Sequence, residues 1–170
     1  MISQYSSRVD KPRKTFAVIM QRRRIQNRWQ SVAWELWSVL ESDEPPKAPR
    51  QLVDRGDTVQ WLHPGLELQL HRDEAEGYYT NVTTSAPSIW VLWRMEGDDE
   101  ETAHAIPLQL TVSYDEGGRW MDGGHSVDRL PMPPEVISWV GEFVEKNYRP
   151  EPKKRRKPRS FVHPKDRVEG

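Results

Sequence analysis

Cysteine is absent from the 170 residues of the chain. Its absence excludes disulfides, thiolate zinc sites, iron–sulfur ligation and a cysteine nucleophile. Long apolar runs are lacking too, since the longest cover only residues 16–20 and 89–93, whereas a membrane span needs about 20 apolar residues. The N-terminal sequence contains no apolar core of a secretion signal. We therefore expect a cytoplasmic protein with no membrane span.

Motifs for catalysis and cofactor binding are also missing. No glycine-rich phosphate loop or nucleophile elbow occurs, and His63, His71, His104 and His163 show no metal-ligand spacing. Carboxylates and one histidine do gather in and just after the glycine-rich segment 115–125, at Asp115, Glu116, Asp122, His125 and Asp128. Acid–base or metal chemistry could use them, but their spacing matches no metal-binding pattern, and four glycines favour a mobile structural or solvated loop. The sequence predicts no catalytic residue, no metal ligand and no cofactor.

Charge is divided unevenly along the chain. Residues 150–170 carry eight lysines or arginines against three acids, a net charge of +5, which leaves −6 for residues 1–149. Prolines and like charges predict that this tail is flexible. It could bind an acidic protein surface, nucleic acid or anionic lipid, or simply aid solubility. Its candidate partner-binding residues are Lys153, Lys154, Arg155, Arg156, Lys157 and Arg159.

Alternating apolar residues and β-prone composition dominate the central part of the chain. They predict seven strands, over residues 15–23, 29–40, 58–62, 66–71, 78–84, 89–93 and 106–114. Pro64 and Gly65 suit a tight reversal, so the third and fourth strands are expected to form a hairpin. The proline-rich segment 42–50 is predicted to be a loop.

One helix is predicted near the C-terminus, at about 133–147. Pro133 and Pro134 suit a first helical turn, and the apolar residues that follow make one stripe, at Val136, Val140, Phe143 and Val144. The predicted fold is mainly β (α+β): a seven-stranded curled antiparallel sheet or partly open barrel with one C-terminal amphipathic helix. A flexible N-terminus (1–14), one domain (15–148) and a basic flexible tail (149–170) complete this organisation.

Tryptophan is unusually frequent, with eight residues. Most are expected in the core, because a large flat side chain fills a small fold efficiently; an aromatic-lined pocket is the functional alternative. Trp120 lies in the polar glycine-rich segment, so we expect it to be more exposed than Trp34, Trp61, Trp90 and Trp93. It is the candidate partner-binding residue outside the tail.

Several short strings resemble an uncharacterised bacterial family, a domain of unknown function. They are Arg28-Trp29 with Trp34-Glu35, His63-Pro64-Gly65, Gly77-Tyr78-Tyr79-Thr80-Asn81, Ser85-Ala86-Pro87-Ser88, Ser113-Tyr114-Asp115-Glu116 and Tyr148-Arg149-Pro150-Glu151-Pro152. The resemblance covers about residues 15–157. It marks positions of unknown role at Trp29, Trp34, Pro64, Gly65, Tyr79, Asn81, Tyr114, Asp115 and Glu116.

Genes of that family commonly lie beside those for molybdenum-dependent formate dehydrogenase and its maturation factors. The resemblance therefore implies an accessory or maturation role, with a molybdoenzyme subunit or a maturation protein as the partner. Some relatives carry names that link them to attachment of a guanine nucleotide to molybdopterin, but this chain lacks the glycine-rich start of such transferases.

Three functional hypotheses follow. The first is a non-enzymatic binding or assembly factor for a molybdenum enzyme. The second is a small-molecule binding or catalytic domain for a nucleotide or molybdopterin, which requires a tryptophan-lined pocket near Asp115, Glu116 and Asp122. The third is nucleic-acid binding through the basic tail, with an affinity that falls steeply as salt rises.

Overall fold

The computed structural model of the protein describes residues 11–150. Within that range two antiparallel sheets are combined with three α-helices and a short 3₁₀ turn at Arg72–Glu74. The strands are β1 (Arg13–Arg24), β2 (Val32–Glu41), β3 (Arg50–Asp54), β4 (Thr58–Gln69), β5 (Ser88–Glu96), β6 (His104–Thr111) and β7 (Ser126–Pro131). The helices are α1 (Ala75–Val82), α2 (Tyr114–Asp122) and α3 (Pro134–Asn147).

The larger sheet has the strand order β2-β1-β4-β3. Side chains alternate along β1, so Phe16, Val18 and Met20 enter the main core, while Ala17 and Ile19 join Leu62 in a smaller cluster on the opposite face. The edge strand β3 has only five residues and carries a bulge between Gln51 and Val53. Short, bulged strands of this kind discourage pairing with another chain.

The smaller sheet has the order β6-β5-β7, so the apolar strand β5 is central. Ile89 and Val91 face the main core, which α1 and α3 complete with Tyr78, Val136, Val140 and Phe143. Loops and strand edges join the two sheets. The Leu36 amide, freed by a bulge in β2, donates to the Asp128 carboxylate at 2.8 Å, and the Ser31 and Val32 amides donate to Glu100 at 2.6 and 3.2 Å.

The mainly β class and the C-terminal helix are confirmed, with α3 at Pro134–Asn147. The expectation of one curled sheet or barrel is wrong, because the seven strands within residues 11–150 form two separate sheets, and no barrel closes among them. Each strand of the smaller sheet pairs only within it, through β5. Alternation predicts that a strand has one buried face, but it does not identify the neighbouring strand.

The hairpin expected at Pro64 and Gly65 is also wrong. The two predicted strands are one strand, β4, which crosses this point with a bulge where pairing with β1 shifts between Phe16 and Val18. Gly65 has φ +82°, and a side chain there would collide with the backbone of Pro46. Proline and glycine suit a bulge as well as a turn, since neither needs a regular ladder bond.

Two predicted segments are helices instead. Residues 78–84, expected as a strand, belong mostly to α1, where Tyr78 packs edge-on against Phe143 at 5.7 Å. The segment 115–125, expected as a loop, is mostly α2. Its cap was visible in the sequence: the Ser113 hydroxyl accepts from the Glu116 amide at 3.1 Å, the serine-x-x-glutamate signal of a helix start. Strands β3 and β7 were not predicted.

Candidate functional site

A fully buried asparagine joins three elements at one end of the smaller sheet. The Asn81 side chain, 1% exposed, donates to the carbonyls of Ser88 and Val112, both at 2.8 Å, and accepts from the Ser88 amide at 2.9 Å. We call Asn81, Ser88 and Val112 the Asn81 junction. It fixes α1 to the beginning of β5 and to the residue after β6. Its polar groups are paired, as burial requires.

A second polar contact holds α2 in place. The buried Ser113 hydroxyl donates to Glu74 at 2.7 Å, and Arg119 pairs with the other oxygen of the same carboxylate at 2.7 Å. Gly77 of α1 lies directly against the Ser113 oxygen, so a side chain at this glycine would collide with it. Strings far apart in the sequence therefore meet here, and their polar groups serve to assemble the fold.

Beside these contacts lies a cavity of about 410 Å³, which we call the Trp90 cleft. Trp90 and Tyr114 form an aromatic wall with their rings edge-on at 5.9 Å, and Arg129 is the partner of Trp90 across the strand pair β5–β7. Trp90 is 3% exposed and Tyr114 46%. The lining residues are Asn81, Thr84, Ser85, Ala86, Ser88, Trp90, Tyr114, Arg129, Leu130 and Pro131.

The other positions of unknown role are divided between this end and the rest of the molecule. Tyr79 packs on Tyr148 at 4.8 Å and holds the end of α3 against α1. Asp115 and Glu116 lie in the first turn of α2, where negative charge suits the helix dipole. Far from the cleft, Trp29 is exposed, Trp34 lies between the sheets, and Pro64 and Gly65 form the bulge.

The expectation that most tryptophans lie in the core holds only in part, since Trp34, Trp93 and Trp139 pack on the main core but stay partly exposed. Trp90 is the one buried tryptophan, while Trp29 and Trp37 are 84% and 52% exposed. Trp120 is partly buried: it is more exposed than Trp90, as expected, but lies in the same partly buried range as Trp34, Trp61 and Trp93. The reason is that its segment is a helix packed on the smaller sheet. Residues Lys153–Arg159 of the tail lie outside the described part of the chain, and their predicted role stays a prediction.

Between the two sheets lies an aromatic group that sequence reasoning missed. His104 contacts Trp61 edge-on at 4.8 Å and Trp34 at 5.6 Å, and His63 shares a cavity of about 200 Å³ with His104 and Trp61. Burial and the neighbouring His104 lower the pKa of His63 to about 4. Burial, together with Arg22, lowers the pKa of His104. We call Trp34, Trp61, His63 and His104 the Trp–His cluster; both imidazoles are neutral at pH 7.

A larger cavity of about 900 Å³ lies between α3 and the start of β1. Leu70, Trp139 and Phe143 form its apolar side, and both signs of charge surround it, at Lys11, Arg72, Asp73, Glu142 and Lys146. This mixture gives no preference for one ligand charge. In residues 11–150, no three histidines or carboxylates are arranged to hold a metal ion.

The described helices include none that is long and apolar enough to cross a membrane. Residues 15–157 match the family described as "Protein of unknown function (DUF3305)", and the chain belongs to this family. No curated protein and no solved structure matches the chain.

Proposed function

We propose that the chain is a non-enzymatic accessory protein that binds a protein partner during the maturation of a molybdenum-dependent formate dehydrogenase. The proposal rests on one observation: the buried polar residues of the family strings form hydrogen bonds within the fold. Asn81 and Ser113 form their hydrogen bonds with other residues of the fold. Beside them the surface has a cleft in which Tyr114 and Arg129 are exposed, and tyrosine and arginine are enriched at protein interfaces.

Two features outside the cleft support the same proposal. The resemblance implies a gene neighbourhood of formate dehydrogenase and its maturation factors. The basic tail, at +5 over residues 150–170, would speed association with an acidic partner at low salt. Tyr148 packs on Tyr79, so the tail starts from a fixed point beside α1.

Co-purification tests the proposal directly. The full-length tagged chain, expressed in cells that make the native enzyme, is expected to retain a molybdoenzyme subunit or a maturation protein at physiological salt. A chain ending at Pro150 should retain less of it, and the loss should be larger at low salt, where charge attraction is strongest. Recovery of neither class of protein by the full-length chain would contradict the proposal.

Small-molecule binding is a second candidate, and the Trp90 cleft favours it. Its volume of about 410 Å³ lies within the roughly 300–1,000 Å³ of ligand pockets, and Trp90 and Tyr114 line it, whereas Asp115, Glu116 and Asp122 do not. A nucleotide or molybdopterin compound bound there should change the tryptophan fluorescence. Tyr114→Ala should weaken that response, and an unchanged spectrum at millimolar ligand would exclude this candidate.

A further inference from the structure

The Trp90 cleft continues onto an exposed side of α2. Tyr114, Gly118 and Met121 lie on the same side of this helix, because an α-helix has 3.6 residues per turn. Tyr114 and Met121 are 46% and 54% exposed, and a Cβ placed on Gly118 would meet nothing within 4 Å. Apolar surface therefore extends beyond the cavity, farther than a small ligand contained in it would need.

Apart from Gly118 itself, its chain neighbours and the backbone of α2, no atom of the described residues 11–150 lies within 4 Å of where a Cβ on Gly118 would be. Its neighbour Gly117 must be glycine, since a Cβ there would lie 2.7 Å from the Trp90 ring. Gly118 faces open space, and glycine inside a helix weakens that helix relative to alanine. Glycine at a surface permits close approach of another backbone. Gly118 therefore weakens helix α2 at the point where a partner segment would lie.

Hydrogen bonds hold the loop between α1 and β5, which lines the cleft. Between α1 and β5, the Thr84 hydroxyl donates to the Asn81 carbonyl at 2.8 Å, and the Ser88 amide is held by the Asn81 side chain. The Pro87 carbonyl accepts from the Met132 amide at 2.8 Å. A loop fixed at these points is already ordered before binding, so little entropy is lost when a ligand enters.

The charge of the cleft is positive. Arg129 is its one charged lining residue and forms no ion pair with any residue of the described range 11–150. Exposed arginines elsewhere, such as Arg28 and Arg55, also form no ion pair within residues 11–150, so Arg129 is distinguished by its place beside Trp90 and Tyr114 in the cleft. A guanidinium beside an aromatic wall suits a carboxylate that neighbours an apolar side chain. The basic tail would favour the same kind of partner.

We infer that the Trp90 cleft and the Tyr114–Gly118–Met121 side of α2 together bind an acidic segment of a partner protein, in which a carboxylate stands next to an apolar side chain. The carboxylate pairs with Arg129, the apolar side chain packs against Tyr114, and the segment's backbone passes over Gly118. This inference rests on the proposed function, since it names the chemistry by which a protein partner is recognised.

Peptide binding tests this inference. The probe is a fluorescein-labelled nine-residue peptide pool in which two glutamates flank leucine and phenylalanine; matched pools carry glutamine or lysine instead of glutamate. The full-length protein should bind the glutamate pool in fluorescence anisotropy and the other pools at least tenfold more weakly. Failure to bind the glutamate pool, or equal binding of all three, would overturn the inference.

Two variant pairs locate the binding. Gly118→Leu should weaken binding at least tenfold, while Gly141→Leu in α3, where a Cβ also meets nothing within 4 Å, should leave it unchanged. Arg129→Glu should weaken binding similarly, with the exposed Arg55→Glu as its control. An equal loss of peptide binding in a variant and in its control would overturn the inference. The inference would also be overturned if sedimentation velocity showed that the wild-type chain is a dimer and that Gly118→Leu dissociates it.

Failure of the docking surface can be distinguished from failure of the proposed function. If the full-length chain co-purifies with a molybdoenzyme protein and Gly118→Leu retains as much of it, the docking surface is wrong while the proposed function stands. If no such protein co-purifies but the glutamate pool binds as expected, the proposed partner is wrong while the surface stands.

Discussion

The Asn81 junction and the Trp–His cluster both join separate parts of the fold, but by opposite means. At the junction, Asn81 forms three hydrogen bonds, all between 2.8 and 2.9 Å. In the cluster, the indole nitrogens of Trp34 and Trp61 are buried without a hydrogen-bond partner. Directional bonds fix geometry at the junction, whereas the cluster depends on packing and on uncharged imidazoles. The candidate site lies beside the junction, where its shape is fixed.

Loss of the junction should have the largest effect. Asn81→Ala removes three hydrogen bonds and leaves the Ser88 amide and two carbonyls unpaired inside the protein. We expect a loss of about 3–5 kcal/mol in the free energy of unfolding, measured by urea denaturation. Asn27→Ala, at an exposed turn, is the control and should cost below about 1 kcal/mol. A small loss for Asn81→Ala would show that the junction is not structural.

The second-largest effect is expected from acid, which should destabilise the Trp–His cluster. The pKa of His63 is about 4 in the folded protein and about 6.5 in an unfolded chain. The unfolded state therefore binds more protons between these values, and stability present above pH 6.5 is lost as pH falls towards 4. The loss is at most about 3 kcal/mol. Denaturation of His63→Gln should show a flatter profile over this range, while the exposed His125→Gln should follow the wild type.

The next largest change in stability is expected from substitutions that alter the packing against Trp90. Gly117→Ala places a methyl group against the indole ring and should destabilise the fold by about 1–3 kcal/mol. Gly118→Ala, one residue further on, should stabilise it by up to about 1 kcal/mol, because alanine favours helix and the space is open. Thermal unfolding of the pair measures both. Equal melting temperatures would show that α2 does not press on Trp90.

The smallest effect is expected from removing an unpartnered indole nitrogen. Trp61→Phe deletes a buried donor that forms no hydrogen bond, so the gain in desolvation offsets part of the lost packing. The phenyl ring is smaller than the indole and leaves a small cavity, so we expect a loss below about 1.5 kcal/mol. A loss as large as that for Asn81→Ala would mean that a hydrogen bond does act in the cluster, which would remove the contrast between the two regions.

Local patterns in the sequence were sufficient to predict some elements and not others. The strand alternation of β1 and the helical stripe of α3 each report one buried face, and both predictions are confirmed. Partner choice between strands is not encoded in alternation, so two sheets were predicted as one. Tyr78 and Tyr79 have high β-propensity, yet packing of Tyr78 on Phe143 in a helix overrides it.

The candidate site was predictable only in part. The strings around Asn81 and Tyr114 were singled out, but their convergence depends on side-chain contacts between distant segments, and Arg129 of the unpredicted strand β7 carried no signal. The capping pattern from Ser113 to Glu116 indicates a helix start, whereas Gly117 and Gly118 disfavour a helix. These two local signals conflict, and the packing of α2 on the smaller sheet decides between them.

Recovery of the partner by two charge variants tests the central claim most directly. Full-length Arg129→Glu and Arg55→Glu change the net charge equally, and both arginines are exposed. In co-purification from native cells, Arg55→Glu should retain the molybdoenzyme or maturation protein at the wild-type level, and Arg129→Glu should retain at least tenfold less. Equal recovery by both variants would contradict the claim that the Trp90 cleft recognises an acidic partner.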